Sequence, residues 1–264
     1  MLKYHIHSDV FDPRLLGENH IDRIQIEMIP DATRVLEIGC ASGYMSDYLQ
    51  RVKGCRVTGV ESDPDAAAVA RGRCEELVSG SVGDAPVRRQ IDARVAARGA
   101  FDVIFCSQMI EHVAEPERLL RQFHHWLSPT GRLVISTCNI AHWRCRLRLL
   151  AGRWEYEDYG IFDRGHLRFF TVPSFIALLG ACGFGVEEEG YSYEDLCPFK
   201  LLFNTRLLAP TDLLRLIPVV GRRLRRGYIR RMRNLIATQF AFKAGRISPL
   251  PLGEDDDGSN RPVL

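Results

Sequence analysis

The 264-residue chain lacks the marks of several protein classes. It has no CxxC pair. Eight cysteines are scattered at positions 40, 55, 74, 106, 138, 145, 182 and 197, several of them inside apolar runs such as Val103-Ile104-Phe105-Cys106. That scatter suits reduced, buried thiols and speaks against a disulfide framework or a zinc site, so no metal is expected. No uninterrupted apolar run approaches the length of a bilayer span, and no basic-then-apolar signal opens the sequence. A cytoplasmic location is the expectation. The formal net charge of +2 provides no general basic footprint, which argues against nucleic acid as a partner. Lysine is scarce beside arginine, a bias that reads as genome composition rather than chemistry. There is no internal repeat.

What is present is a rhythm. Nearly half of the residues are apolar, ample for a core. A helix is expected around His20 to Met28. Arg34-Val35-Leu36-Glu37-Ile38 breaks at Gly39, as a buried parallel strand would. Ser42 to Arg51 reads as a helix and Cys55 to Glu61 as a second strand. Asp63-Pro64 is a helix opening, with the aspartate as cap and proline in the first turn. Glu76 to Val82 gives a third strand, Ala85 to Gly99 a helix, and Phe101 to Cys106 a fourth strand. Pro116 to Leu127 gives a helix. Ser128-Pro129-Thr130-Gly131 predicts a turn into a fifth strand, Arg132 to Thr137. Later come a helix from Thr171, a sixth strand from Phe184 to Glu189 and a seventh from Gln239 to Ala244. Such alternation predicts a doubly wound, mostly parallel sheet of seven strands. One domain over 1–247 is expected, with insertions at 138–170 and 191–236. An acidic tail, 248–264, is expected to be disordered.

Ligands of open parallel sheets bind at the strand ends where strand order reverses. Here strand 1 ends in Glu37 and is followed by Gly39-Cys40-Ala41-Ser42-Gly43, while strand 2 ends in Glu61-Ser62. Glycine permits backbone torsions and close approaches closed to other residues. A carboxylate at the second strand end can accept ribose hydroxyls. A dinucleotide fingerprint would need glycines at 39, 41 and 44, and this chain has Gly39, Ala41 and Tyr44. The bulky Tyr44 disfavours a pyrophosphate and with it a dinucleotide-dependent oxidoreductase.

The run from Val35 to Tyr44 resembles motif I of class I S-adenosylmethionine-dependent methyltransferases, and Val57 to Pro64 resembles their second motif. Gly83-Asp84-Ala85 is similar to the third. Phe101-Asp102-Val103-Ile104 with Glu111-His112-Val113 resembles the fourth-strand block, and Pro129 to Ile135 the final turn and strand. Ala41 and Thr130 depart from the usual glycines. The resemblance implies a Rossmann-like methyltransferase fold with S-adenosyl-L-methionine as cofactor. It implies Glu37 at the methionine end, Glu61 at the ribose and Asp84 with Ala85 beside adenine. Ser107, Gln108 and Met109 would form the floor near the sulfonium. Gly39, Cys40, Ala41, Gly43 and Ser62 complete the expected cofactor contacts.

The segments 139–143, 146–154 and 163–171 look like a bacterial subgroup associated with glycan assembly and similar to MetW-type proteins. This implies O-methylation of a sugar, nucleotide-sugar or glycan intermediate bound by residues 138–170. Two alternatives stand beside it: a MetW-type partner-binding regulator without turnover, and a quinone-ring O-methyltransferase, where Glu111-His112-Val113 also occurs. An alcohol acceptor gains from a general base, and histidine titrates nearest neutrality. His166 is the first candidate and His112 the second, each with a structural role as its rival. His142, Arg168 and Tyr159 are candidate acceptor contacts. Arg164 reads as solvated. Finally, Arg215 to Arg233 holds eight arginines. The stretch from Arg222 to Arg233 reads as a helix face packed on the sheet or as a peripheral contact with an anionic membrane.

Overall fold

The structure is a computed structural model that describes residues 11–194, 214 and 221–247. Its elements run α1 Ile21–Met28, β1 Arg34–Ile38, α2 Tyr44–Lys53, β2 Arg56–Glu61, α3 Pro64–Ala70 and β3 Glu76–Ser79. There follow α4 Ala85–Arg98, β4 Phe101–Ser107, α5 Pro116–Trp126, β5 Leu127–Cys138, α6 Trp143–Leu150, α7 Val172–Ala181 and β6 Phe184–Tyr193. The last two are α8, Gly221–Ile236, and β7, Ala237–Arg246. The seven strands form one sheet in the order β3-β2-β1-β4-β5-β7-β6. Neighbours from β3 to β5 are parallel, and β7 runs antiparallel to both β5 and β6. The expected doubly wound architecture is present, and strand order reverses between β1 and β4.

Both faces of the sheet are covered, so its central strands are apolar on both sides. Along β1, Leu36 and Ile38 join one core with Ile104, Leu120, Phe123, Ile135 and Phe175. Val35, just before them, points to the other with Ile26, Leu49, Val103, Phe105 and Val134. This two-residue alternation explains why the strands read as unbroken apolar runs.

Several helix starts follow local rules. Asp63 accepts hydrogen bonds from the Asp65 and Ala66 amides at 2.8 and 3.0 Å and starts α3 at Pro64. Thr171 and Ser174 form a reciprocal capping box at the start of α7.

The structure departs from the sequence expectation in three places. The expected turn at 128–131 is absorbed into β5 as an irregularity: Phe101 pairs with Leu127, whereas Val103 pairs with Arg132. Strand β6 extends to Tyr193 because β7 offers it a matching antiparallel partner, so the second insertion starts later than position 191. Within the first insertion, α6 is the only helix, and the rest is loop tied by isolated bridges Asn139 to Phe170 and Glu157 to Asp163. The expected disordered tail, 248–264, lies outside the described residues, as do 195–213.

The basic helix α8 spends part of its charge on the sheet. Arg233 reaches Glu189 at 3.1 Å and Arg225 bonds the Tyr193 hydroxyl, whereas Arg223, Arg226, Arg230 and Arg231 are exposed. No helix among the described residues is long and apolar enough to cross a membrane.

Phe175 is fully buried where α7 meets β7 and packs on Phe170, Phe240 and Phe242 at centroid distances of 5.0, 5.5 and 6.1 Å. Phe175→Ala should cost about 3–5 kcal/mol. Urea unfolding would read this as a lower midpoint with an unchanged slope.

Candidate active site

The C-terminal ends of β1, β2, β4 and β5 open onto one cleft of about 1110 Å³. That exceeds the usual size of a single-ligand pocket and leaves room for two ligands side by side. Gly39, Cys40, Ala41, Ser42, Glu61 and Ser62 line it on the β1–β2 side, with Ser107, Gln108 and Met109 as floor. His112, Glu111, Asp163 and His166 stand on the far side.

On the β1–β2 side, the loop after β1 is held in left-handed conformation at Gly39, Ala41 and Gly43, with φ of 75°, 48° and 73°. Ala41 thus keeps a backbone that favours glycine, although its side chain makes that costly. A side chain at position 39 would come within 2.9 Å of Met109. The backbone N–H groups of Gly39 and Cys40 donate to the Val60 carbonyl, that of Gly43 to Cys40, and that of Ala41 to Glu61 Oε2 at 2.8 Å. These donors are spent inside the protein, so the loop offers poor purchase to a pyrophosphate. Glu61 also accepts the Asp63 amide at 2.7 Å through Oε1. A carboxylate has about four acceptor directions, so Glu61 retains capacity for hydroxyls in the cleft. These features fit an adenosyl group held by its ribose rather than by phosphates.

Glu37 is set back from the cleft. It is buried behind the loop, where the Ser46 hydroxyl of α2 donates to it. Burial, followed by the neighbouring Cys74 and then Glu61, raises its carboxyl well above the usual range. Its place at the methionine end was implied by resemblance. Asp22 and Tyr44 line the cleft nearby, with the Tyr44 hydroxyl 3.5 Å from Asp22 Oδ2. Burial raises the Asp22 carboxyl as well. Gly43 also lies behind the wall, against Arg73 and Ala70. Asp84 and Ala85 start α4 in an exposed position, and the cleft edge there is Ser81, Val82, Gly83 and Arg88. The reason is geometric: β3 ends at Ser79, and the next residues to pass the cleft are 81–83.

The floor is a hydrogen-bonded set. Gln108 has φ of 46°, strained for a residue other than glycine. Its amide nitrogen donates to Ser136 Oγ at 2.9 Å, and its carbonyl oxygen accepts from Cys138 Sγ at 3.2 Å and Gln239 Nε2 at 2.9 Å. Ser107 Oγ accepts from Gln25 Nε2 of α1 at 2.6 Å.

On the far side, a short 3₁₀ turn, Ile110–His112, faces the 163–168 loop. Leu167 and Arg168 donate their backbone N–H groups to the Glu111 carbonyl at 2.8 and 3.0 Å, fastening the two segments. The rings of His112 and His166 lie edge to face at 4.8 Å. His166 Nε2 stands 4.0 Å from Glu111 Oε1. Glu111 is 1 % exposed, and neither oxygen meets a hydrogen-bond donor among the described residues. Burial lifts its carboxyl to about 7; the backbone amides of Glu111 and Cys138 and the Thr137 hydroxyl lie near enough only to temper that rise.

The expected acceptor contacts are not together. His142 caps α6 and lines a second cavity of about 690 Å³, which shares Cys138, Gly160 and Gln239 with the cleft. Arg168 is turned away, its guanidinium donating to the Ala114 carbonyl at 2.9 and 2.6 Å. Tyr159 is exposed and does not line the cleft. Arg164 pairs with Asp158 at 2.8 Å, both exposed. Sequence reasoning passed over Asp22, Gln25, Asp163 and Gln239, which no local pattern marks. Glu111 is set apart from its motif neighbours only by burial, which the sequence does not display.

Glu111 links stability to pH. Its carboxyl rises from 4.5 to about 7 on folding, so the folded state holds a proton that the unfolded chain has released. The associated stability is present in full below pH 4.5 and lost as pH rises through about 7, on the order of 3 kcal/mol. Glu111→Gln should therefore raise the melting temperature at pH 8 relative to wild type but not at pH 4.5. Thermal scans across that range check this.

Comparison with known proteins agrees with the geometry. Residues 13–189 match the family described as Methyltransferase domain. The ubiquinone biosynthesis O-methyltransferase of Xylella fastidiosa strain M23 is 34% identical over 199 residues, covering 75% of this chain and 78% of that protein. The protein of that name from Xanthomonas axonopodis pv. citri is 33% identical over 124 residues, and there the match covers 47% of this chain. The chain spans about half the length of that relative, 51%. A SAM-dependent methyltransferase structure from Archaeoglobus fulgidus shares the fold, with a TM-score of 0.55, 17% identity and coverage of 88% of this chain and 94% of that one. The chain belongs to the methyltransferase-domain family, whose cofactor is S-adenosyl-L-methionine.

Proposed function

We propose that this chain is an O-methyltransferase acting on a ring hydroxyl, of the kind met in quinone biosynthesis. The observation that carries it is one cleft with two unlike halves: a ribose-ready carboxylate at Glu61 and a histidine pair with a buried acid at His112, His166 and Glu111. The names of the sequence relatives support the acceptor class. When bound, the cofactor supplies a methyl carbon already activated toward displacement, so the protein's task is positioning and proton removal. Glu61 would hold the ribose and Asp22 the cationic methionine end. His166 would take the hydroxyl proton, with His112 orienting the acceptor. The adjoining cavity beneath His142 would receive the remainder of a longer acceptor.

A glycan acceptor rests on the resemblance of residues 138–170, supported by the exposed aromatics Trp154, Tyr156 and Tyr159 of that segment. A MetW-type regulator would bind cofactor without turnover. A panel of catechols, phenols and nucleotide-sugars separates the three: methyl transfer to catechols supports the ring hydroxyl, transfer only to sugars replaces it, and binding without transfer favours the regulator.

Glu61→Ala should weaken S-adenosylhomocysteine binding by roughly 1–3 kcal/mol in calorimetry, from loss of charge-assisted hydrogen bonds. His166→Ala should lower turnover while leaving cofactor affinity intact, and full activity would return His166 to a structural role. For the exposed arginines of α8 the proposal includes weak attraction to an anionic membrane. Cosedimentation with phosphatidylglycerol vesicles at low salt, lost at high salt, checks it; none at low salt removes it.

A further inference from the structure

Glu111 is badly placed for a residue with only a structural task. A carboxyl buried with no hydrogen-bond donor is among the costliest groups a fold can carry, and a glutamine of equal shape would cost less. The hydrogen bonds that dock the 163–168 loop go to its backbone carbonyl, while its carboxyl faces that loop at His166 Nε2, 4.0 Å away. The side chain lies in the wall of the cleft.

The groups that face it are few. His166 Nε2 is 4.0 Å away, and His112 packs edge to face on His166. The Asp163 carboxyl adds like charge, and the Cys106 and Cys138 thiols and the Thr137 hydroxyl complete the surroundings. The hydrogen bonds of the two imidazoles fix their tautomers. His166 Nδ1 lies 3.1 Å from the Ile161 carbonyl, and His112 Nδ1 lies 2.9 Å from the Gly165 carbonyl. A carbonyl only accepts, so both Nδ1 atoms carry hydrogen, and each neutral ring keeps its basic lone pair on Nε2. That of His166 is held on the Glu111 side.

We propose that Glu111 is the positioning partner of His166: its carboxylate holds in place and stabilises the imidazolium formed when Nε2 takes the proton of an acceptor hydroxyl, whereas the neutral ring is set by its Nδ1–H bond to the Ile161 carbonyl. This rests on the O-methyl-transfer reading of the site. In that reaction the hydroxyl O–H bond breaks toward His166 Nε2, and a new O–C bond forms to the methyl carbon. The old C–S bond breaks with its electron pair left on sulfur. One positive charge leaves the sulfonium and one appears on His166, beside Glu111, so the net charge of the cleft is unchanged. A carboxyl that titrates near neutrality can stay ionised for this task without lying far from proton exchange.

Glu111→Gln keeps the shape and removes the charge. Without any ligand, the His166 ring is followed by long-range proton–nitrogen NMR through a pH titration. The expected result is a midpoint at least one pH unit lower in Glu111→Gln than in wild type, with the ring remaining the Nδ1–H tautomer. An unchanged midpoint overturns the proposal. The Glu111 carboxyl carbon, observed in wild type and in His166→Asn, supplies the reciprocal reading: its midpoint should rise when the imidazole is lost, and no movement overturns the pairing. With a catechol acceptor, Glu111→Gln should lower kcat about 10- to 100-fold, shift the acid limb of the kcat profile to lower pH and leave cofactor affinity unchanged. If wild type methylates catechols but Glu111→Gln is as active with the same pH profile, the pair fails and the O-methyl-transfer reading stands. If wild type methylates no hydroxyl acceptor while the NMR midpoints are coupled, that reading fails and the pair stands as an electrostatic unit.

Discussion

The reversal of strand order between β1 and β4 is the constraint on which the rest depends. On one side of it the chain builds outward through β2 and β3, on the other through β4, β5 and β7. The connections after β1 and β4 therefore diverge to opposite faces, and no backbone fills the crevice between them. Gly39 and Met109 approach each other across this gap, which is why a side chain at 39 has no room. Most groups of the candidate site are delivered by a strand end or by the segment that follows one, and α1 adds Asp22 and Gln25. The antiparallel pairing of β7 with β5 and β6 closes the far edge and brings Gln239 to the same floor.

Two buried carboxyl groups stand at or behind the cleft, and their surroundings differ. Glu37 and Glu111 are equally buried, and burial raises both. Glu37 is answered by Ser46 and lies behind the loop, where it braces α2 against β1. Glu111 is answered by no donor and lies in the wall. A fold tolerates the first for packing. The second is buried without that compensation.

Much of the sheet was legible because its strands are buried on both faces and its helices carry strong caps. Arg34 to Ile38, Asp63-Pro64 and Thr171 marked their elements directly, and Glu61 reached the strand end that its spacing implied. The turn at 128–131 was misjudged because proline and glycine also occur in strand irregularities. Glu37, Asp84 and Ala85 were assigned by motif, and a motif cannot tell whether a side chain faces the ligand or the loop behind it. Asp22 and Gln25 come from α1, distant in sequence from every glycine, and only packing brings them to the cleft. For Glu111 the decisive property is burial beside His166 without a hydrogen-bond donor, which is purely three-dimensional.

The amides of Gly39, Cys40, Ala41 and Gly43 are engaged within the protein, which favours an adenosyl cofactor held by its ribose over a dinucleotide held by its phosphates. Calorimetric titration of the wild-type chain with S-adenosylhomocysteine and, separately, with NAD tests this most directly. The account predicts saturable binding of S-adenosylhomocysteine at one site per chain and no heat from NAD. Binding of NAD without binding of S-adenosylhomocysteine would contradict it.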